Sequence, residues 1–158
     1  MKVKNDLPTE LLMLAAQVRE RAYAPYSHYK VGAAVLAKSG RIYTGCNVEN
    51  ASYGLTVCAE RNAIFKGISE GEKEFTAIAI VTANGGSPCG ACRQVEFEFM
   101  HPDARVFLSD EDLKNVQALT VGELLPDGFT PRKLREGQRK DAPKQLPISP
   151  RKNRRVRK

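Results

Sequence analysis

Residues 58–61 read Cys58-Ala59-Glu60-Arg61, and residues 88–92 read Pro88-Cys89-Gly90-Ala91-Cys92. Cys89 and Cys92 form a C-x-x-C pair, the spacing that lets two thiolates reach one metal ion. Cys58 can supply a third ligand from a separate segment. Glu60, two residues past Cys58, is placed to face a metal-bound water without ligating the metal. Three protein ligands and one open position describe a catalytic zinc site, not a closed structural one. A fourth ligand is not at hand: Cys46 is the only cysteine left, and His28 and His101 lie in other segments.

The elements around this stretch follow from local signals. Asp6 as cap and Pro8 in the first turn start a helix over 7–22. Its core stripe is expected at Leu7, Leu11, Leu14, Val18 and Ala22. Two β-prone runs, 31–37 and 41–46, flank Ser39-Gly40 and read as a hairpin. Cys46 at its end is expected to be a small buried hydrophobe. A second helix is placed over 57–68, a buried central strand over 76–82, and a third helix over 89–100 with Ala91, Val95 and Phe99 inward. His101-Pro102 is expected to end that helix before a strand over 105–109. Thr120 and Glu123 have capping-box spacing for a short helix stopping at Pro126. Helices interleaved with strands indicate an α/β domain with helices covering a central sheet.

Charge divides the chain. Residues 1–131 carry 13 Lys+Arg against 16 Asp+Glu, whereas residues 132–158 carry 12 against 2, so the basic balance belongs to the tail alone. The tail has no aromatic residue and is expected to be a disordered, solvated segment. Contact of the tail with nucleic acid is open on this reading. No apolar run is long enough for a membrane span, and no signal-peptide core is visible, so reduced thiols in the cytoplasm are expected.

With these residues in view, the C-A-E-R and P-C-G-A-C-R-Q segments resemble the cytidine deaminases. The resemblance runs from about residue 22 to residue 129 and includes A-P-Y-S at 24–27 and C-N-V-E-N at 46–50. It implies a three-layer α/β/α sandwich with a five-stranded mixed sheet, a deaminase domain over 1–131 and one zinc ion per subunit. It assigns Cys58, Cys89 and Cys92 to the metal, Glu60 to proton transfer, and Arg61 to a contact with thiolate sulfur. It places Tyr29 on the pyrimidine, although the family's usual residue there is Phe. It gives Asn47 and Glu49 to the ribose hydroxyls and Ala59 to the substrate pocket. It also implies a homotetramer in which Phe129 stacks on the base of a neighbouring subunit.

The activity so implied is hydrolytic deamination of cytidine and 2′-deoxycytidine in pyrimidine salvage. In it, Glu60 passes a proton from water to ring N3 and then to the leaving amine. Asn offers both donors and an acceptor and ionised Glu only acceptors, which suits sugar hydroxyls. Three other readings stand beside this one: a deaminase of a modified cytosine nucleoside of the blasticidin S type, a polynucleotide cytosine deaminase, and a non-catalytic RNA-binding protein. Arg93 is expected to be either a second sulfur donor or a surface ion pair.

Overall fold

The computed structural model describes residues 7–141. Its elements are α1 (Leu7–Arg19), β1 (Gly32–Ala37), β2 (Ile42–Cys46), a 3₁₀ turn at Tyr53–Leu55, α2 (Ala59–Ser69), β3 (Phe75–Val81), α3 (Gly90–Phe99), β4 (Met100–Ser109), β5 (Gln117–Thr120), α4 (Val121–Leu124) and α5 (Pro131–Asp141). The strands form one mixed sheet in the order β2-β1-β3-β4-β5. Only β3 and β4 are parallel, and α3 is the crossover that a parallel pair requires.

Strand alternation divides the core between the two faces. Ala33, Val35, Ile78, Ile80, Val106 and Leu108 pack on one side with Ala59, Ala63 and Ile64 of α2. Ala34, Ala77, Ala79, Val81 and Phe107 pack on the other with Leu11, Leu12 and Ala15 of α1. The result is the expected α/β/α layering. Small side chains let the layers meet closely: a Cβ on Gly45 of β2 would lie 2.5 Å from the Ala63 nitrogen of α2.

Several expectations are corrected. Leu11 is buried on α1 as expected, but the rest of the buried face is Leu12, Ala15 and Arg19 rather than Leu7, Leu14, Val18 and Ala22, and Leu7 is 42% exposed. Arg19 turns the helix: its Nε donates to the Lys30 carbonyl at 3.2 Å, and its Nη2 lies 2.8 Å from Glu111. Partnered this way, a guanidinium can lie in the interior. On α3 the buried residues are Cys92 and Glu96, while Ala91 is exposed. His101-Pro102 does not separate helix from strand, because β4 begins at Met100 directly after α3. The ladder to β3 shifts between Phe75 and Ala77, pairing Met100 and then Arg105. Residues 101–104 bulge out, so Pro102 need not donate. Cys46 is half-buried. β5 was not visible locally: Gln117 and Ala118 are exposed at the sheet edge. The tail is corrected for residues 132–141, which are helical in α5, while 142–158 lie outside the described residues.

Candidate active site

Two helix starts meet at the site. Cys58 is the N-cap residue of α2 and Cys89 that of α3, both with extended backbone. Their carbonyls accept the first helical bonds, from Asn62 N at 3.1 Å and Arg93 N at 3.0 Å. Neither sulfur caps its own helix, so both remain available. Cys92 sits in the first turn of α3, fully buried beneath Cys89. The Cys58, Cys89 and Cys92 sulfurs all lie within 4.8 Å of one another. Cys58 to Cys89 is 3.9 Å and Cys89 to Cys92 is 3.6 Å. Tetrahedral geometry with metal–sulfur bonds of ~2.3 Å puts ligand sulfurs about 3.8 Å apart, so these residues fit zinc.

The electrostatics favour anionic sulfur. Arg61 Nη2 donates to Cys58 Sγ at 3.4 Å and to the Thr56 carbonyl at 3.3 Å. A hydrogen bond from Cys92, with Arg61 beside it, brings Cys58 down to about 5. The same bond and burial push Cys92 up. Glu60 is 4% exposed, and its Oε2 has no partner among the described residues. Burial raises its pKa, and the neighbouring Cys58 charge adds to the effect.

Beside the sulfurs is a cavity of about 290 Å³ whose walls include Tyr29, Asn47, Glu49, Cys58, Glu60 and Cys89. Asn47 is 7% exposed and already half-used. Its Oδ1 accepts from Val31 N and its Nδ2 donates to the Tyr29 carbonyl, both at 2.8 Å. One N–H and one lone pair remain. Glu49 accepts from Tyr26 N at 2.9 Å, Ser27 N at 3.2 Å and the Ser27 hydroxyl. These bonds, the Ser27 hydroxyl first, lower its pKa. The Tyr29 hydroxyl donates to Asn84 Oδ1 at 2.7 Å, which holds the ring at the rim.

Geometry of this kind prompts comparison with known proteins. Residues 7–108 match the family model for the cytidine and deoxycytidylate deaminase zinc-binding region. The chain belongs to the cytidine deaminase family. It is 52% identical over 122 residues to a cytidine deaminase of Halalkalibacterium halodurans, covering 76% of this chain and 92% of that protein. It is 47% identical over 128 residues to one from Sporosarcina psychrophila, covering 79% and 93%. A crystal structure of cytidine deaminase from Burkholderia pseudomallei superposes with a TM-score of 0.73 at 47% identity, covering 76% of this chain and 97% of that one. As in other members of the cytidine deaminase family, this chain has a zinc-binding region, and the three-cysteine cluster lies within it.

Not every expected residue reaches the cavity. Ala59 is fully buried in the core cluster and Phe129 is 55% exposed; neither lines the cavity within one chain. Gln94 fixes the Phe129 backbone from both sides, its Nε2 donating to the carbonyl at 2.9 Å and its Oε1 accepting from the amide at 3.2 Å. Gly128 has no room for a side chain, since a Cβ would lie 2.7 Å from the Phe97 ring. The segment is thus held with the Phe129 ring outward. Among the described residues Arg93 is neither a sulfur donor nor a member of an ion pair. It donates to the Pro88 carbonyl at 2.8 Å, the Leu124 carbonyl at 3.1 Å and Ser87 Oγ at 2.7 Å, joining the loop before α3 to the end of α4.

Sequence reasoning missed Ser27, Thr56, Thr82 and Ser87 in the cavity wall. Short hydroxyl side chains in turns carry no local signal of a site. Glu96 was missed as well. It is fully buried one turn past Cys92, with neither carboxyl oxygen partnered among the described residues. Burial, with the Glu60 charge adding to it, raises its pKa to about 8.

Proposed function

We infer that this chain hydrolyses cytidine and 2′-deoxycytidine to the uracil nucleosides with release of ammonia. The observation that carries this reading is the unpartnered Glu60 Oε2, buried in the wall of a cavity that also holds Cys58 and Cys89. Zinc held by Cys58, Cys89 and Cys92 supplies the Lewis acidity that activates water for addition to a polarised ring carbon. The protein's part is proton handling and placement. Burial makes the Glu60 carboxylate a stronger base than an exposed one, so it takes a proton from water at Oε2. It delivers that proton to ring N3 and a second one to the departing amine. Arg61 spreads charge away from the Cys58 sulfur.

Asn47 and Glu49 hold the ribose. A carboxylate has about four acceptor positions, three of which are taken in Glu49, leaving one for a sugar hydroxyl. Tyr29 flanks the base from the rim. In this reading Phe129 completes the pocket of a neighbouring subunit in a homotetramer; its outward, backbone-clamped position supports that assignment. The enzyme serves pyrimidine salvage in the cytoplasm, where reducing conditions suit thiolate ligands. A cavity of about 290 Å³ suits one nucleoside and disfavours a polynucleotide.

Loss of the cytidine ultraviolet band with zinc-quantified protein tests the reading, with 2′-deoxycytidine, blasticidin S and a cytosine oligonucleotide alongside. Both nucleosides are expected to turn over and the oligonucleotide is not. Glu60→Ala keeps its zinc and loses about 10²–10⁴ in turnover. Near-normal activity of that variant would refute the proton role, and turnover of blasticidin S alone would move the substrate to a modified nucleoside.

A further inference from the structure

Two segments meet at the wall of the cavity. One carries Ser27, Tyr29 and Val31; the other is the loop between β3 and α3, which brings Gly86 and Ser87 to the cavity just before Cys89. Two adjacent glycines leave that loop little restraint of its own, and Gly85 takes a φ of +72°. Its ends are held by the Thr82 amide, which donates to the Ser109 carbonyl at 3.2 Å, and by Arg93, which donates to Ser87 Oγ at 2.7 Å. Side chains hold its middle. Gly86 N donates to Thr82 Oγ1 at 2.7 Å, and Thr82 Oγ1 donates to Asn84 Oδ1 at 3.4 Å. The Tyr29 hydroxyl donates to the same Asn84 oxygen at 2.7 Å. Tyr29 is itself anchored on the far side: its amide donates to Ser27 Oγ at 3.1 Å, and its carbonyl accepts from Asn47 Nδ2 at 2.8 Å. The loop is also shaped to the hydroxyl. A Cβ on Gly86 would lie 2.5 Å from the Tyr29 oxygen, while its next neighbours, Asn84 Oδ1 and Thr82 Oγ1, would stand at an ordinary 3.5 Å. Gly86 does not have a positive φ, so its backbone would accept alanine. What excludes a side chain there is the Tyr29 hydroxyl.

We propose that the Tyr29 hydroxyl is a positioning group, a strut to Asn84 that fixes the 83–88 loop against the side of the cavity built by Ser27, Asn47 and Glu49, and that Gly86 is the residue that admits it. The occupant of the cavity is taken from the nucleoside reading above; the strut itself is independent of that reading. The ring of Tyr29 and its hydroxyl thus have separate uses. The ring flanks the ligand, and the hydroxyl holds the opposite wall in place before the ligand arrives. Without the strut, the glycine-containing loop has to be ordered during binding, and that ordering is subtracted from affinity. The hydroxyl is committed to Asn84 and touches no reacting atom, so its loss falls on KM rather than on kcat.

The test uses the full-length, zinc-loaded protein and two readouts. In cytidine kinetics, Tyr29→Phe and Asn84→Ala each raise KM about 2–10-fold, the worth of one neutral hydrogen bond. The variant carrying both is no weaker than Asn84→Ala alone, because the two changes break the same bond. Gly86→Ala raises KM at least as much, and adding Tyr29→Phe to it returns KM to the level of Tyr29→Phe, since the clash leaves with the hydroxyl. In amide hydrogen exchange without substrate, Tyr29→Phe speeds exchange at Gly86 and Ser87 about 2–10-fold. The exchange measurement needs no turnover. Faster exchange in a protein that leaves cytidine untouched would support the strut and remove the nucleoside reading. Wild-type KM or wild-type exchange in Tyr29→Phe, additive losses in the variant carrying Tyr29→Phe and Asn84→Ala, or a Gly86→Ala defect that Tyr29→Phe leaves uncorrected would each overturn the proposal.

Discussion

Glu96 should make the folded protein less stable as pH rises, and the size of the effect follows from its surroundings. Its carboxyl is fully buried, has no hydrogen-bond partner among the described residues, and is raised by burial to about 8 from a reference of 4.5. Below pH 4.5 folded and unfolded chains both hold this proton, so the group carries no ionisation cost. Between 4.5 and 8 the unfolded chain ionises while the folded one keeps its proton, and stability falls by about 1.4 kcal/mol per pH unit. The accumulated cost is about 3 kcal/mol at pH 7 and levels off near 5 kcal/mol above pH 8. Glu96→Gln keeps the shape but cannot titrate. Urea denaturation of zinc-loaded wild type and variant at about pH 5 and pH 8 isolates the effect, since metal-linked pH dependence is common to both. The variant should gain about 3–4 kcal/mol relative to wild type between the two conditions. Glu96→Leu should gain further at both pH values by removing a buried polar group without partners. An unchanged difference between wild type and Glu96→Gln would show that the carboxyl is solvated or paired in solution, and the reasoning would fail.

Arg61→Gln should raise the Cys58 titration midpoint from about 5 in chelator-treated protein, read from thiolate ultraviolet absorbance, because the variant loses the guanidinium that faces the sulfur. Asn47→Ala should cost about 1–3 kcal/mol in denaturant melts, since it strands the half-buried Val31 amide and removes the partner of the Tyr29 carbonyl; a loss of nucleoside affinity with unchanged stability would contradict its bracing role. Phe129→Ala should lose activity and regain it when co-assembled with Glu60→Ala, whose subunits still donate the ring. Absence of complementation in verified mixed oligomers would refute the trans assignment.

Some of this protein is a local matter and was readable from the residues alone. Cys89 and Cys92 lie one turn apart on α3, and Cys58 and Cys89 each sit at a helix start, so ligand type and spacing were visible without the fold. The β-prone runs at 31–37 and 41–46 were readable as a hairpin, and the apolar run at 76–82 as a buried central strand. The capping box at Thr120 and Glu123 formed as its spacing indicated. The resemblance supplied the fifth strand, which its exposed residues do not announce.

Other features depend on partners far along the chain. The 3.9 Å approach of Cys58 to Cys89 spans 31 residues and needs the sheet to bring α2 and α3 side by side. Arg19 reads as a surface charge until Lys30 and Glu111 are placed around it. Arg93 and Gln94 look like ordinary polar helix residues, yet Arg93 holds the Leu124 carbonyl and Gln94 the Phe129 backbone, 31 and 35 residues away. Glu96 is the sharpest case: composition gives a charged residue its usual place in water, and only packing takes that water away. Periodicity and spacing report what a residue does within its own turn or strand. Burial, pKa and the use of hydrogen-bonding capacity are set by neighbours that only the folded chain brings near.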